Sequence, residues 1–209
     1  MRYAYLHGFA SGSLARKGLA LKQAFEARGV PFDLPDLNCP SFARLSHGAM
    51  LAAVDELTAG GEPWRFVGSS LGGWLAARWA ELHPDRIDRL VLLCPGFGLG
   101  SRWPKLLGER AMKRWEGRGS HPFPDGAGEV VDVHWGFYEE SLRQPSVTEV
   151  PCPTLVIHGR ADEVVPIDSS RGYVATRSHV RLLEVDDDHS LAESLDRVTD
   201  EALRFFGFG

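Results

Sequence analysis

The sequence predicts an α/β protein: a mainly parallel sheet of about six strands, helices on both faces, and a small helical lid. Three observations carry this expectation. Short apolar runs alternate with longer helical patterns along the chain, as in strand–helix–strand crossovers. A Gly-x-Ser-x-Gly sequence, Gly68-Ser69-Ser70-Leu71-Gly72, links the apolar run Trp64–Val67 directly to the helical pattern Gly73–His83. The 209 residues, 44% hydrophobic and 24% charged, suit one globular domain with a sizeable core.

Taken in order, the first strand is 3–7, ending in His7-Gly8-Phe9 and a Gly/Ser-rich loop. A helix over about 14–28 follows, with an apolar stripe through Leu21 and Phe25 and a stop at Gly29. Strands are then expected at 31–34, 64–68, 89–94, 154–158 and 180–185, and helices at about 45–59, 71–83, 167–177 and 190–205. Residues 96–150 break the alternation. They show no strand pattern, only helical pieces at about 102–116 and 134–143 around a Pro/Gly stretch, His121–Gly128. An insertion here lands above the carboxyl edge of the sheet and is expected to act as a lid within one domain, 1–209.

The Gly-x-Ser-x-Gly stretch is the strongest chemical signal. A strand turning sharply into a helix lifts Ser70 out of the sheet, and glycines two residues to either side let the chain segments pass closely. Ser69 is the rival nucleophile, but Val67 and Leu71 would flank it. The start of the helix presents free N–H groups to a developing oxyanion. Leu71 N–H is one expected donor, and Phe9 N–H, after His7-Gly8, is the other. Among eight histidines, His189 lies in the loop after the last strand and is the candidate general base. His7 is read as shaping the oxyanion loop, and His83 as closing the helix after the turn. Asp162 lies four residues beyond the buried strand ending at His158 and is the candidate for orienting His189. Its rivals are Glu163, Asp168 and the Asp186-Asp187-Asp188 triplet. The triplet lies too near His189 in sequence to bond its ring well, and Asp168 resembles a helix N-cap or first-turn residue.

The lid contains Trp103, Trp115 and Trp135, with Phe97, Phe123, Phe137 and Tyr138. Trp103, Trp135 and Phe97 are the candidate substrate-binding residues, although packing of a small lid would use the same side chains. Residues 101–118 are rich in Arg and Lys, an attraction for an anionic substrate group or a solvated helix face. Cys39, Cys94 and Cys152 form neither a metal-ligand spacing nor a redox pair, which suits a reducing compartment, and the cytoplasm is the expected location. No run reaches the length of a membrane span, and Met1-Arg2 leads directly into a short strand rather than into a signal peptide's apolar region. The net charge of −5 argues against a nucleic-acid partner. A small-molecule acyl ester or thioester is the expected partner, and the chemistry calls for no metal or organic cofactor.

Tyr5-Leu6-His7-Gly8-Phe9 with nearby serines and Lys17, Pro35-Asp36-Leu37, Gly68-Ser69-Ser70-Leu71-Gly72-Gly73 and the His189 turn together resemble the α/β-hydrolase superfamily, and within it the small bacterial YqiA-like esterases. Nucleophile, acid and base fall in the order that fold uses, Ser, Asp, His. The resemblance implies a trimmed sheet with the 31–34 strand at one edge. It also implies esterase activity on short acyl esters, thioesters included. The loop Ala10-Ser11-Gly12-Ser13 lacks the proline expected in that subgroup, and the lid differs.

Overall fold

The computed structural model describes residues 1–209. Five parallel strands form the central sheet in the order β1 (Arg2–Leu6), β2 (Trp64–Ser69), β3 (Ile87–Leu93), β6 (Thr154–Gly159) and β7 (Val180–Val185). Period-two alternation divides their side chains between two cores. Tyr3, Tyr5, Val91, Leu93, Leu155 and Ile157 face α1 (Arg16–Glu26) and α8 (Leu195–Phe205), where Leu21, Phe25, Val198 and Ala202 complete one core. Ala4, Leu6, Leu90, Leu92 and Val156 face the opposite way. They meet α2 (His47–Leu57), α3 (Leu71–Leu82) and Tyr173 of α7 (Asp168–Ala175). Ser46 caps α2 by accepting a hydrogen bond from Ala49 N–H. His83 closes α3, stacked on Trp79. Asp168 is the first residue of α7.

Three sequence expectations change. The expected strand 31–34 contracts to a single parallel bridge, Asp33 with Ala4, so the sheet has five strands rather than about six. Pro31 and Pro35 bracket this segment, and neither offers a ladder donor. The insertion does contain strands: β4 (Ser120–Pro124) and β5 (Val130–His134) form an antiparallel hairpin. Asp125 Oδ1 closes its turn by accepting from Ala127 and Glu129 N–H, and Gly128 takes a φ of +86°. The signal lay in Val130-Val131-Asp132-Val133 after an Asp-Gly turn, obscured by Pro122 and Pro124. The expected helix 102–116 is two helices, α4 (Leu99–Leu107) and α5 (Glu109–Arg118), divided at Gly108, where φ is +80°. With α6 (Trp135–Arg143) these elements cover the α3 side of the sheet, and their aromatic residues are continuous with that core. No helix is long and apolar enough to cross a membrane.

Candidate active site

Ser70 sits where β2 turns into α3, at φ 53° and ψ −117°. The need for glycine on either side is steric. A Cβ on Gly68 would lie 2.4 Å from Gly72 O, and one on Gly72 would lie 2.1 Å from Leu6 O. The turn therefore passes against its own strand and against β1 at distances only hydrogen fits.

His189 follows β7 and reaches back over the sheet edge. Its Nε2 is 3.0 Å from Ser70 Oγ, and its Nδ1 is 2.7 Å from Asp162 Oδ2. The Asp162 side chain is fully buried. Burial would raise its pKa. Hydrogen bonds from His158 and His189, the charge of His189 and the Val165 N–H more than offset that and hold the carboxyl far below its ordinary range. Asp162 is therefore an ionised acceptor. Nδ1 of His189 carries the ring proton and donates it to Asp162, leaving the Nε2 lone pair toward the Ser70 hydroxyl. The rivals do not make this contact: Asp187 and Asp188 bind Ser194 and Ser190 N–H, while Asp168 pairs with Arg171.

His158 is a member of this network that the sequence reading passed over. It is completely buried. Its Nε2 lies 2.7 Å from Val165 O and 3.1 Å from Asp162 Oδ2, and its Nδ1 is 2.8 Å from Ser170 Oγ. Both neighbours of Nε2 are acceptors, so Nε2 bears the proton and Nδ1 accepts from Ser170. His158 thus holds Asp162 from behind while Val164 and Val165 N–H hold its other oxygen at 2.9 and 2.8 Å. The available signal was a histidine ending the strand just before the acidic loop.

The side expected to hold an oxyanion is built around one peptide. His7 Nε2 accepts from Leu37 N–H at 2.9 Å, so His7 Nδ1–H donates to Gly8 C=O, also at 2.9 Å. That carbonyl and Phe9 N–H belong to the same trans peptide and face opposite ways. Anchoring the oxygen aims the N–H. Neither Phe9 N–H nor Leu71 N–H has a partner within the chain. A Cβ on Gly8 would lie 3.2 Å from Ser70 Cβ, which shows how closely this loop rests on Ser70.

A cavity of about 290 Å³ opens beside Ser70 and His189, with Phe9, Ser11, Arg16, Lys17 and Leu195 in its walls. None of Trp103, Trp135 and Phe97 lines it. Trp103 is 4% exposed and packs edge-on against Phe9 at 5.2 Å, from the core side. Phe97 packs on Tyr173, and Trp135 on Trp115 and Tyr138. These aromatic residues build the insertion, and of the three Trp103 holds the Phe9 ring, together with Phe123 and Phe137. Arg16 and Leu195 were missed, and Lys17 was named only among the residues of the resemblance, because helix starts carry no mark of which cavity they face. Cys94, Asp162 and His189 form the one cluster of potential metal ligands, within 4.8 Å of one another. The donor set does not fit an ion: the His189 and Asp162 atoms already bond each other, and burial pushes the Cys94 thiol far above its ordinary range.

Residues 2–207 match a family described as Uncharacterised protein family, UPF0227. Palmitoyl-protein thioesterase ABHD10, mitochondrial, of Bos taurus is 30% identical over 157 residues, covering 70% of this chain and 50% of that protein. Monoacylglycerol lipase abhd6-B of Xenopus laevis is 26% identical over 148 residues, covering 69% of this chain and 40% of that protein. The chain thus spans half or less of the length of these curated relatives. Among solved structures, Est1E from Butyrivibrio proteoclasticus has a TM-score of 0.78 at 20% identity, over 98% of this chain and 86% of that one. Alpha/beta hydrolase domain-containing protein 10 from mouse has a TM-score of 0.75 at 21% identity, over 98% and 88%. Both share the fold described above. The chain belongs to the UPF0227 family, and its fold is that of the α/β hydrolases.

Proposed function

We propose that this α/β-hydrolase is a serine hydrolase that cleaves carboxylic esters of small to medium acyl chains, with Ser70 as nucleophile, His189 as base and Asp162 as orienting acid. The observation that carries the reading is the unbroken line Ser70 Oγ–His189–Asp162, at 3.0 and 2.7 Å, beside two N–H groups without partners. His189 Nε2 takes the hydroxyl proton as Oγ attacks the acyl carbonyl. Phe9 and Leu71 N–H hold the oxyanion, each such donor lowering the barrier by on the order of 3 kcal/mol. His189 then gives its proton to the leaving alcohol. Water repeats the cycle on the acyl-enzyme, with Asp162 stabilising the imidazolium at both steps.

The cavity, about 290 Å³, lies at the small end of ligand sites, which favours short acyl groups. A second reading, thioester cleavage, is supported by relatives named as palmitoyl-protein thioesterases. It uses the same steps with a thiolate leaving group. Three free cysteines are in keeping with a reducing compartment, and the cytoplasm is the proposed location.

A fluorophosphonate probe should label Ser70, and a p-nitrophenyl ester panel from C2 to C12 should peak at the short end. Ser70→Ala should lower turnover by about 10⁴-fold or more without shifting the thermal midpoint. Retained turnover in that variant would move the nucleophile elsewhere. A matched acyl thioester turned over faster than its oxygen ester would favour the second reading.

A further inference from the structure

The cavity beside Ser70 has a charge pattern that ester cleavage by itself does not use. Arg16 and Lys17 are in its walls, and no carboxylate is. Neither cation takes part in an ion pair. Lys17 Nζ donates one hydrogen bond, 2.6 Å to Ser190 O, which leaves two of its three N–H donors unused. Arg16 and Lys17 are the first two residues of α1, and Ala15, which precedes them and also lines the cavity, supplies no side-chain cap. The positive end of the helix dipole therefore opens on the same space.

The acidic groups nearest Lys17 are engaged elsewhere. Asp162 is bound by His189 and His158. Asp187 and Asp188 accept from Ser194 and Ser190 and open on a separate depression beside Arg160. Burial lowers the Lys17 pKa, and the Cys94 thiol and these three carboxylates oppose that. An anion within the cavity would oppose it further.

We infer that the cavity recognises a carboxylate on the substrate, held by Lys17, Arg16 and the uncapped start of α1, so that the substrates are esters carrying an anionic group a few atoms from the scissile carbonyl. The inference rests on the esterase reading for the reacting bond and on the cavity walls for the charge. It commits to the carboxylate and leaves its side of the ester to be found by two substrate pairs. Mono-p-nitrophenyl adipate against p-nitrophenyl hexanoate places the charge on the acyl side. 4-Carboxyphenyl butyrate against 4-carbamoylphenyl butyrate places it on the alcohol side.

In at least one pair the charged ester should have a kcat/KM about tenfold or more above its neutral partner at low salt. That ratio should shrink as salt rises toward about 0.5 M and fall to near one in Arg16→Gln,Lys17→Gln. A ratio near one in both pairs for the unaltered protein overturns the inference. So does a ratio that survives the double substitution, or a Lys17→Gln variant that slows charged and neutral esters equally, which would make Lys17 only a support for the Ser190 carbonyl. Arg16 is exposed, so Arg16→Gln keeps the test open if the Lys17 variant does not fold. Calorimetric titration of Ser70→Ala with adipate reads the anion site apart from hydrolysis. Binding lost in the double variant supports the site even where no ester is cleaved, and binding unchanged by it overturns the site.

Discussion

Four non-glycine residues have positive φ, and all four lie at the carboxyl edge of the sheet: Ala10, Ser70, Cys94 and Leu191. In the insertion of residues 96–150, positive φ occurs only at glycines, Gly98, Gly108, Gly119 and Gly128. A non-glycine residue in such a conformation costs on the order of 1–3 kcal/mol. The insertion avoids that cost by using glycine at its turns. The edge accepts it because Ser70 must carry a side chain at the strained position. The means of support differ as well. At the edge, Ser70, His189, Asp162, His158 and His7 are fixed by directional hydrogen bonds. In the insertion, Trp103, Trp115, Phe123 and Phe137 are fixed mainly by packing on one another and on Phe9, with one hydrogen bond from Trp115 Nε1–H to Val133 C=O. The lesson is that geometry is held tightly where the proposed reaction moves a proton, and shape is enough where a wall must stand.

Asp162→Asn is the sharpest way to break this distinction. The amide keeps the shape and loses the charge that selects the His189 tautomer, so kcat should fall about 10⁴-fold with little loss of secondary structure by circular dichroism. A fall of less than tenfold would mean that packing alone positions His189. Trp103→Ala tests the other region. It should cost about 3–5 kcal/mol of stability by denaturant titration and reduce kcat only through loosening of Phe9. A large rise in KM with stability unchanged would return Trp103 to the substrate-binding role first expected for it.

His47 sharpens the contrast through pH. Burial pushes its pKa down to about 4, with Glu140 opposing, and the ring stacks on Phe137 of the insertion. Between pH 6.5 and about 4 the unfolded chain binds a proton that the folded chain refuses. Stability should therefore fall as pH drops through that window, by on the order of 3 kcal/mol in full, and His47→Phe should flatten that part of the profile. Asp162 acts lower. Its folded pKa lies below the ordinary carboxylate value, so its contribution is present above about pH 4 and lost as pH falls further.

Much of the carboxyl edge was legible because few residue types satisfy its constraints. A serine between Gly68 and Gly72 after an apolar run, a histidine after the last strand and an aspartate beyond a buried strand each name a chemistry at a definite place in an alternating fold. His158 was not legible in the same way. A buried histidine is distinguished from a packed one only by which acceptors surround it. The hairpin β4–β5 escaped because prolines suppress a strand signal that two paired edges can still satisfy. The aromatic residues of the insertion were visible as a group, but composition does not say which way a ring faces.

Residue pattern alone therefore determined the α/β class, the positions of the principal strands along the chain and the side chains proposed for acyl transfer, because these depend on local periodicity and on what each residue type can do. The tertiary structure decided the five-stranded sheet, the support of Asp162 by His158, the packing of Trp103 behind Phe9 and the presence of Arg16 and Lys17 beside Ser70. Those depend on which surfaces meet across long sequence separations, and no local pattern encodes that meeting.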